Sequence, residues 1–111
     1  MPGPTTISRG NILNSLTIQV TLAPVAVAGN STIEQSFTIP GLVAGDQISA
    51  VQFLGAVANQ DISIVNSRVG AANTLTIAFQ NGSGGALTPT AGNYYIEINR
   101  IENLPPPANL V

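Results

Sequence analysis

Apolar residues recur at every second position in this chain, and that period limits what it can fold into. Leu16, Ile18, Val20 and Leu22 alternate with Thr17, Gln19 and Thr21. Successive side chains on an extended strand point to opposite faces, so such a run buries one face and leaves the other to water. Leu75, Ile77 and Phe79 alternate with Thr74, Thr76 and Ala78. Tyr94, Ile96 and Ile98 alternate with Tyr95, Glu97 and Asn99. The two tyrosines therefore fall on opposite faces, one in the core and one outside. Ile33, Phe37 and Ile39 give a further segment, in which Gln35 holds an inward position as an exception.

Two segments change step. Ile48 and Ala50 share one register, whereas Val51 and Phe53 take the other; Ile62 and Ile64 are followed by Val65, Ser67 and Val69. A strand buried on both faces reads this way. So does a β-bulge, which inserts one residue and moves everything after it to the opposite face. Bulges, or a bend that switches sheets, are the expectation, because sandwich corners use them. Gly and Pro clusters separate the segments: Ala28-Gly29-Asn30-Ser31, Pro40-Gly41, Gly45-Asp46, a tight link at Gly70-Ala71-Ala72-Asn73, and a longer loop from Asn81 to Gly92. No segment has the pattern of a long helix. The fold class is all-β, an antiparallel β-sandwich or a jelly-roll-like barrel.

The chain has 111 residues, which suits one domain with one core. The expected organisation is an N-terminal arm over residues 1–10, a sandwich over 11–103 and a Pro-rich C-terminal arm over 104–111. The first arm carries Pro2 and Pro4 and ends at Arg9; the second contains Pro105, Pro106 and Pro107. Consecutive prolines favour an extended polyproline segment that cannot enter a sheet interior. Either arm is a frayed end or a tether that docks on a neighbour, and ten extended residues reach up to ~35 Å.

Charge is scarce. Asp, Glu, Lys and Arg make up 7% of the chain, against about 25% in a typical domain. The basic residues are Arg9, Arg68 and Arg100; the acids are Glu34, Asp46, Asp61, Glu97 and Glu102. A net charge of −2 gives no electrostatic reason to bind nucleic acid, whose affinity rests on cations meeting phosphates. No run approaches the ~18 apolar residues of a membrane helix. The surface is either hydrated by hydroxyls and amides or covered by other subunits, since charge is depleted at the cores of interfaces.

The same composition removes most catalytic chemistry. Without His, Cys or Lys there is no histidine base, thiol nucleophile or Schiff-base amine, and a zinc site lacks its usual ligands. The Gly82–Gly85 run leads into a Thr/Pro loop and not into a phosphate-binding helix. Asp46 and Asp61 are the one conceivable carboxylate pair for glycoside hydrolysis, or part of a Ca²⁺ site. The plainer reading is that each serves a turn. Asn30-Ser31-Thr32 and Asn81-Gly82-Ser83 match the glycosylation sequon, with no secretory signal to give the match meaning. No cofactor is expected. The partner-contact candidates are Pro2, Pro4, Arg9, Tyr95, Arg100, Pro105, Pro106 and Pro107, because Arg and exposed Tyr are enriched where proteins meet.

One resemblance bears on function. The run Phe37-Thr38-Ile39-Pro40-Gly41-Leu42-Val43-Ala44-Gly45-Asp46 is similar to a pattern in small structural proteins of tailed bacteriophages. Arg68-Val69, Asn73-Thr74-Leu75-Thr76-Ile77-Ala78-Phe79, Asn81, and Thr88-Pro89-Thr90-Ala91-Gly92 before a final Tyr-containing strand complete the likeness. It covers about residues 32–99 and omits both arms. It implies a virion β-sandwich without enzymatic activity, of the head decoration (cement) type: a homotrimer on the outside of a capsid, assembled in the host cytoplasm, with the major capsid protein or another virion protein as partner. The family offers no catalytic or ligand residue to carry over. Another virion part (tail, head fibre or spike) fits the same residues. A carbohydrate-binding or adhesion module is the rival from a different class.

Overall fold

The computed structural model describes residues 12–101; the candidates Pro2, Pro4, Arg9, Pro105, Pro106 and Pro107 lie outside them. Six strands follow one another: β1 (Ile12–Leu22), β2 (Ser31–Thr38), β3 (Gln47–Phe53), β4 (Ile62–Ala71), β5 (Thr74–Asn81) and β6 (Gly92–Ile101). They form two three-stranded antiparallel sheets, ordered β1-β6-β3 and β2-β5-β4. Among the described residues no ladder joins one sheet to the other. The all-β fold is thus a sandwich of two open sheets.

The alternating runs pack as their period requires. Leu75, Ile77 and Phe79 of β5 and Tyr94, Ile96 and Ile98 of β6 are all buried. These two central strands face each other across the core, joined by Leu22, Val27, Ile39, Leu42 and Val69. Tyr94 is buried and meets Phe53 edge-on, with ring centroids 5.0 Å apart. Tyr95 is exposed, so the two neighbouring tyrosines do split between the faces. Gly92 opens β6 at a φ of +148°, and a Cβ there would stand 3.0 Å from the Phe53 ring. A side chain at this point would therefore displace the aromatic pair.

Both changes of step are bulges. The β3–β6 register shifts between Ile48 and Ala50, and the β4–β5 register between Ile64 and Asn66, each leaving one residue unopposed. The shift returns Val51, Phe53 and Val69 to the interior. A further irregularity follows Arg68, and β1 has one between Ile12 and Asn14. All of these sit on edge strands, where bulges bend the strand and spoil it as a template for pairing.

The sandwich has two unlike ends. The chain enters at Ile12 and leaves at Ile101 at one end, beside the β2–β3 loop and the β4–β5 hairpin. The connections over residues 23–30, 54–61 and 82–91 lie at the other.

Candidate functional site

At the end where the chain enters and leaves, the β2–β3 loop is fixed by a buried carboxylate. The Asp46 Oδ2 atom accepts the Val43 amide at 3.0 Å and the Arg100 Nη2 at 2.7 Å, while Oδ1 accepts Arg100 Nε at 3.0 Å. The same guanidinium donates to the Gly41 carbonyl at 2.8 Å. From the other side Asn73, in the left-handed conformation at φ +58°, accepts the Gly41 amide on its side chain. Its own backbone exchanges bonds with Ile39 and Leu42. The loop is thus clamped between the two sheets, with Val43 at its tip 49% exposed. Leu13, Val43, Ala44, Arg100 and Ile101 line an open groove of about 510 Å³ beside it.

The hydrogen bonds from Arg100, helped by the Val43 amide, hold the Asp46 carboxyl below its ordinary value against the opposing effect of burial. The folded-state pKa therefore lies below the unfolded one. The stabilisation is present at neutral pH and is lost as pH falls below about 4 and through the folded value. Asp46→Ala is expected to lower stability by about 2–3 kcal/mol at neutral pH, since it leaves the Val43 amide without an acceptor and the guanidinium with the Gly41 carbonyl alone. Urea denaturation at several pH values checks this; the gap from wild type narrows in acid.

The opposite end is organised by Asn81, which is buried and fully bonded. Its Nδ2 donates to the carbonyls of Val27 and Gly85, each at 2.9 Å, and its Oδ1 accepts the amide and hydroxyl of Ser83. Sequence reasoning places Asn81 at the opening of a loop; it is instead the last residue of β5, and its amide is too enclosed to serve as a glycosylation acceptor. Close to it Gly29 meets the backbone of Gly84, where a Cβ would approach to 2.6 Å. A cleft of about 350 Å³ opens at this end, walled by Phe53, Val57, Ile62, Phe79, Pro89 and Tyr94. The Tyr94 hydroxyl donates to the Thr90 carbonyl, and burial raises its pKa, so the one ionisable group on the wall is already committed.

Asp46 and Asp61 precede β3 and β4, whose starts lie at opposite ends of the sandwich. The structure does not bring them together, which removes the two-carboxylate arrangement. Arg100, a contact candidate, is engaged within the chain by Asp46 and Gly41; its neighbour Glu102 lies outside the described residues.

The remaining surface consists of two sheet faces. On β1-β6-β3 the outward residues are Ser15, Thr17, Gln19 and Thr21, then Asn93, Tyr95, Glu97 and Asn99, then Gln47, Ala50 and Gln52. Side chains bond across this face, Thr21 to Asn93 at 2.7 Å and Ser15 to Asn99 at 2.6 Å. Tyr95, 42% exposed, stands between Gln19 and Gln52. On the second sheet Glu34 of β2 and Arg68 of β4 form a two-bond ion pair at 2.9 and 3.0 Å. The pair reaches over β5, whose small outward residues Thr76 and Ala78 are buried beneath it. Arg68 holds the Glu34 carboxyl below its ordinary value, chiefly through these hydrogen bonds.

The chain matches no protein-family model, no curated protein and no solved structure.

Proposed function

We propose that the protein is a non-enzymatic structural subunit of a phage virion, of the head decoration type, binding the outer surface of the capsid. The observation that carries this reading is the pair of sheet faces built from Thr, Ser, Asn and Gln, with Glu97 and one internally matched ion pair as their charges. Such faces lose little on being covered, because few charged groups must leave water. The groove of Leu13 and Val43 supports the same reading, since it places apolar surface where the chain enters and leaves the sandwich. The likeness to phage structural proteins supplies the virion context. Repetition over a symmetric shell multiplies a modest contact, each site contributing roughly 25 cal/mol per Å² of apolar area before association costs.

The test is a binding assay on phage heads stripped of their outer proteins. The full chain is expected to co-sediment at fixed stoichiometry and to raise the temperature at which heads release DNA; a product trimmed to residues 12–101 is expected to bind far less. Failure of the full chain to bind heads while it associates with tails or fibres would move the assignment to another virion part. A second reading, glycan binding, rests on Tyr95 flanked by the amides of Gln19 and Gln52. A glycan array with Tyr95→Ala as control decides it.

A further inference from the structure

Past its bulge between Ile12 and Asn14, β1 is an edge strand that carries none of the features by which the other edges avoid pairing. Bulges interrupt β3 and β4. β2 bears Glu34, and its Gln35 side chain binds both backbone groups of Val25, each at 2.8 Å, which draws the β1–β2 connection over it. From Asn14 to Leu22, by contrast, β1 runs without a bulge, a proline or a charge. Among the described residues its ladder bonds go to β6 alone. A long, regular, uncharged edge of this kind is a template for another strand.

The side chains on this flank agree. Leu16 and Ile33 occupy inward positions, in register with Ile98 and Phe79, yet they remain 37% and 46% exposed. The interior is therefore open between β1 and β2, whereas β3 and β4 approach each other on the opposite flank.

We infer that β1 pairs antiparallel with β1 of a second copy about a two-fold axis at Ile18. Ile18 is the midpoint of the regular stretch Asn14–Leu22, so this register uses all of it. Leu16 then lies opposite Val20 and Ile18 opposite Ile18, inward on inward; Ser15 lies opposite Thr21 and Thr17 opposite Gln19, outward on outward. No like charges meet. A two-fold axis normal to the sheet keeps both interiors on the same side, so the exposed Leu16 and Ile33 of the two copies close one shared core. The result is a continuous sheet ordered β3-β6-β1-β1-β6-β3. This two-fold arrangement replaces the homotrimer expected from the resemblance, and it does not depend on the virion reading.

Sedimentation of the full chain tests the proposal. The wild type is expected to be a dimer at micromolar concentration. Thr17→Lys with Gln19→Lys is expected to be monomeric with unchanged far-ultraviolet circular dichroism. Within one copy Thr17 lies beside Glu97, so a lysine introduced there finds an opposite charge, but across the axis the two introduced lysines face each other. A wild-type monomer, or an assembly that survives both lysines, overturns it. The chain has no cysteine, so single introduced thiols report the register. With a short thiol–thiol linker, Ile18→Cys is expected to join to itself. Ser15→Cys and Thr21→Cys, both on the exposed face, are expected to join to each other but not to themselves. Self-linkage of Thr21→Cys refutes the register even if Ile18→Cys fails to fold.

Discussion

Phe79→Ala is expected to lower the free energy of unfolding by about 3–5 kcal/mol, the range for removing a buried aromatic ring. Phe79 lies on the central strand of its sheet, 1% exposed, and packs in the cluster with Tyr94 and Ile96. It also forms the floor of the cleft walled by Phe53 and Ile62. Domains of this size have about 5–15 kcal/mol in total, so the midpoint of thermal melting falls on the order of 15 °C. Ile64 lies directly opposite Phe79 on β4 but is exposed at the sheet edge. Ile64→Ala is therefore expected to lower stability by only about 1 kcal/mol. Urea denaturation of both variants checks the contrast. Equal losses would mean that the edge of the sandwich is closed in solution.

The second large effect is expected at Asn81. Asn81→Ala removes four hydrogen bonds at a buried site, while the Val27 carbonyl keeps the Leu87 amide and the Gly85 carbonyl keeps the Ser83 hydroxyl. Each bond lost contributes about 0.5–1.5 kcal/mol net, so the loss is about 3 kcal/mol. Asn81→Asp is more informative because it has nearly the same shape. An ionised carboxyl there faces two carbonyl oxygens, so its folded-state pKa is raised above the unfolded value. A group of that kind contributes most below its unfolded pKa, and the contribution is lost as pH rises through the folded pKa. Asn81→Asp is therefore expected to be weakest at neutral pH and to recover in acid, whereas Asn81→Ala stays level. Melting curves of both variants between neutral and acid pH check the difference in slope.

The strands and two of their bulges were legible because burial acts on every second residue. A slip such as that at Ile48–Ala50 must show in which parity is apolar. The polar residues that tie the ends together were less legible. Gln35 stood out as an inward polar residue, but its partner Val25 sits in an irregular connection that no period marks. Asp46 read as a turn residue, and it does bond its own turn through Val43; its stronger partner, Arg100, lies 54 residues away in sequence. Asn81 followed by Gly82 has the composition of a turn, and only the packing of Val27 and Leu87 across it makes it interior. Local chemistry identifies these residues as polar and turn-forming, but long-range contacts decide what they hold. The outward side of β5 is similar: Thr76 and Ala78 alternate as surface residues, and the Glu34–Arg68 bridge covers them.

The separation of the two ends has a practical consequence. The chain enters and leaves the body at one pole, while Ala56 and Val57, exposed in the β3–β4 connection, mark the other. A foreign peptide spliced between Ala56 and Val57 would stand at the pole opposite the points where the chain enters and leaves the sandwich. The scaffold would then carry the added peptide at one pole, and neither sheet would need to be redesigned.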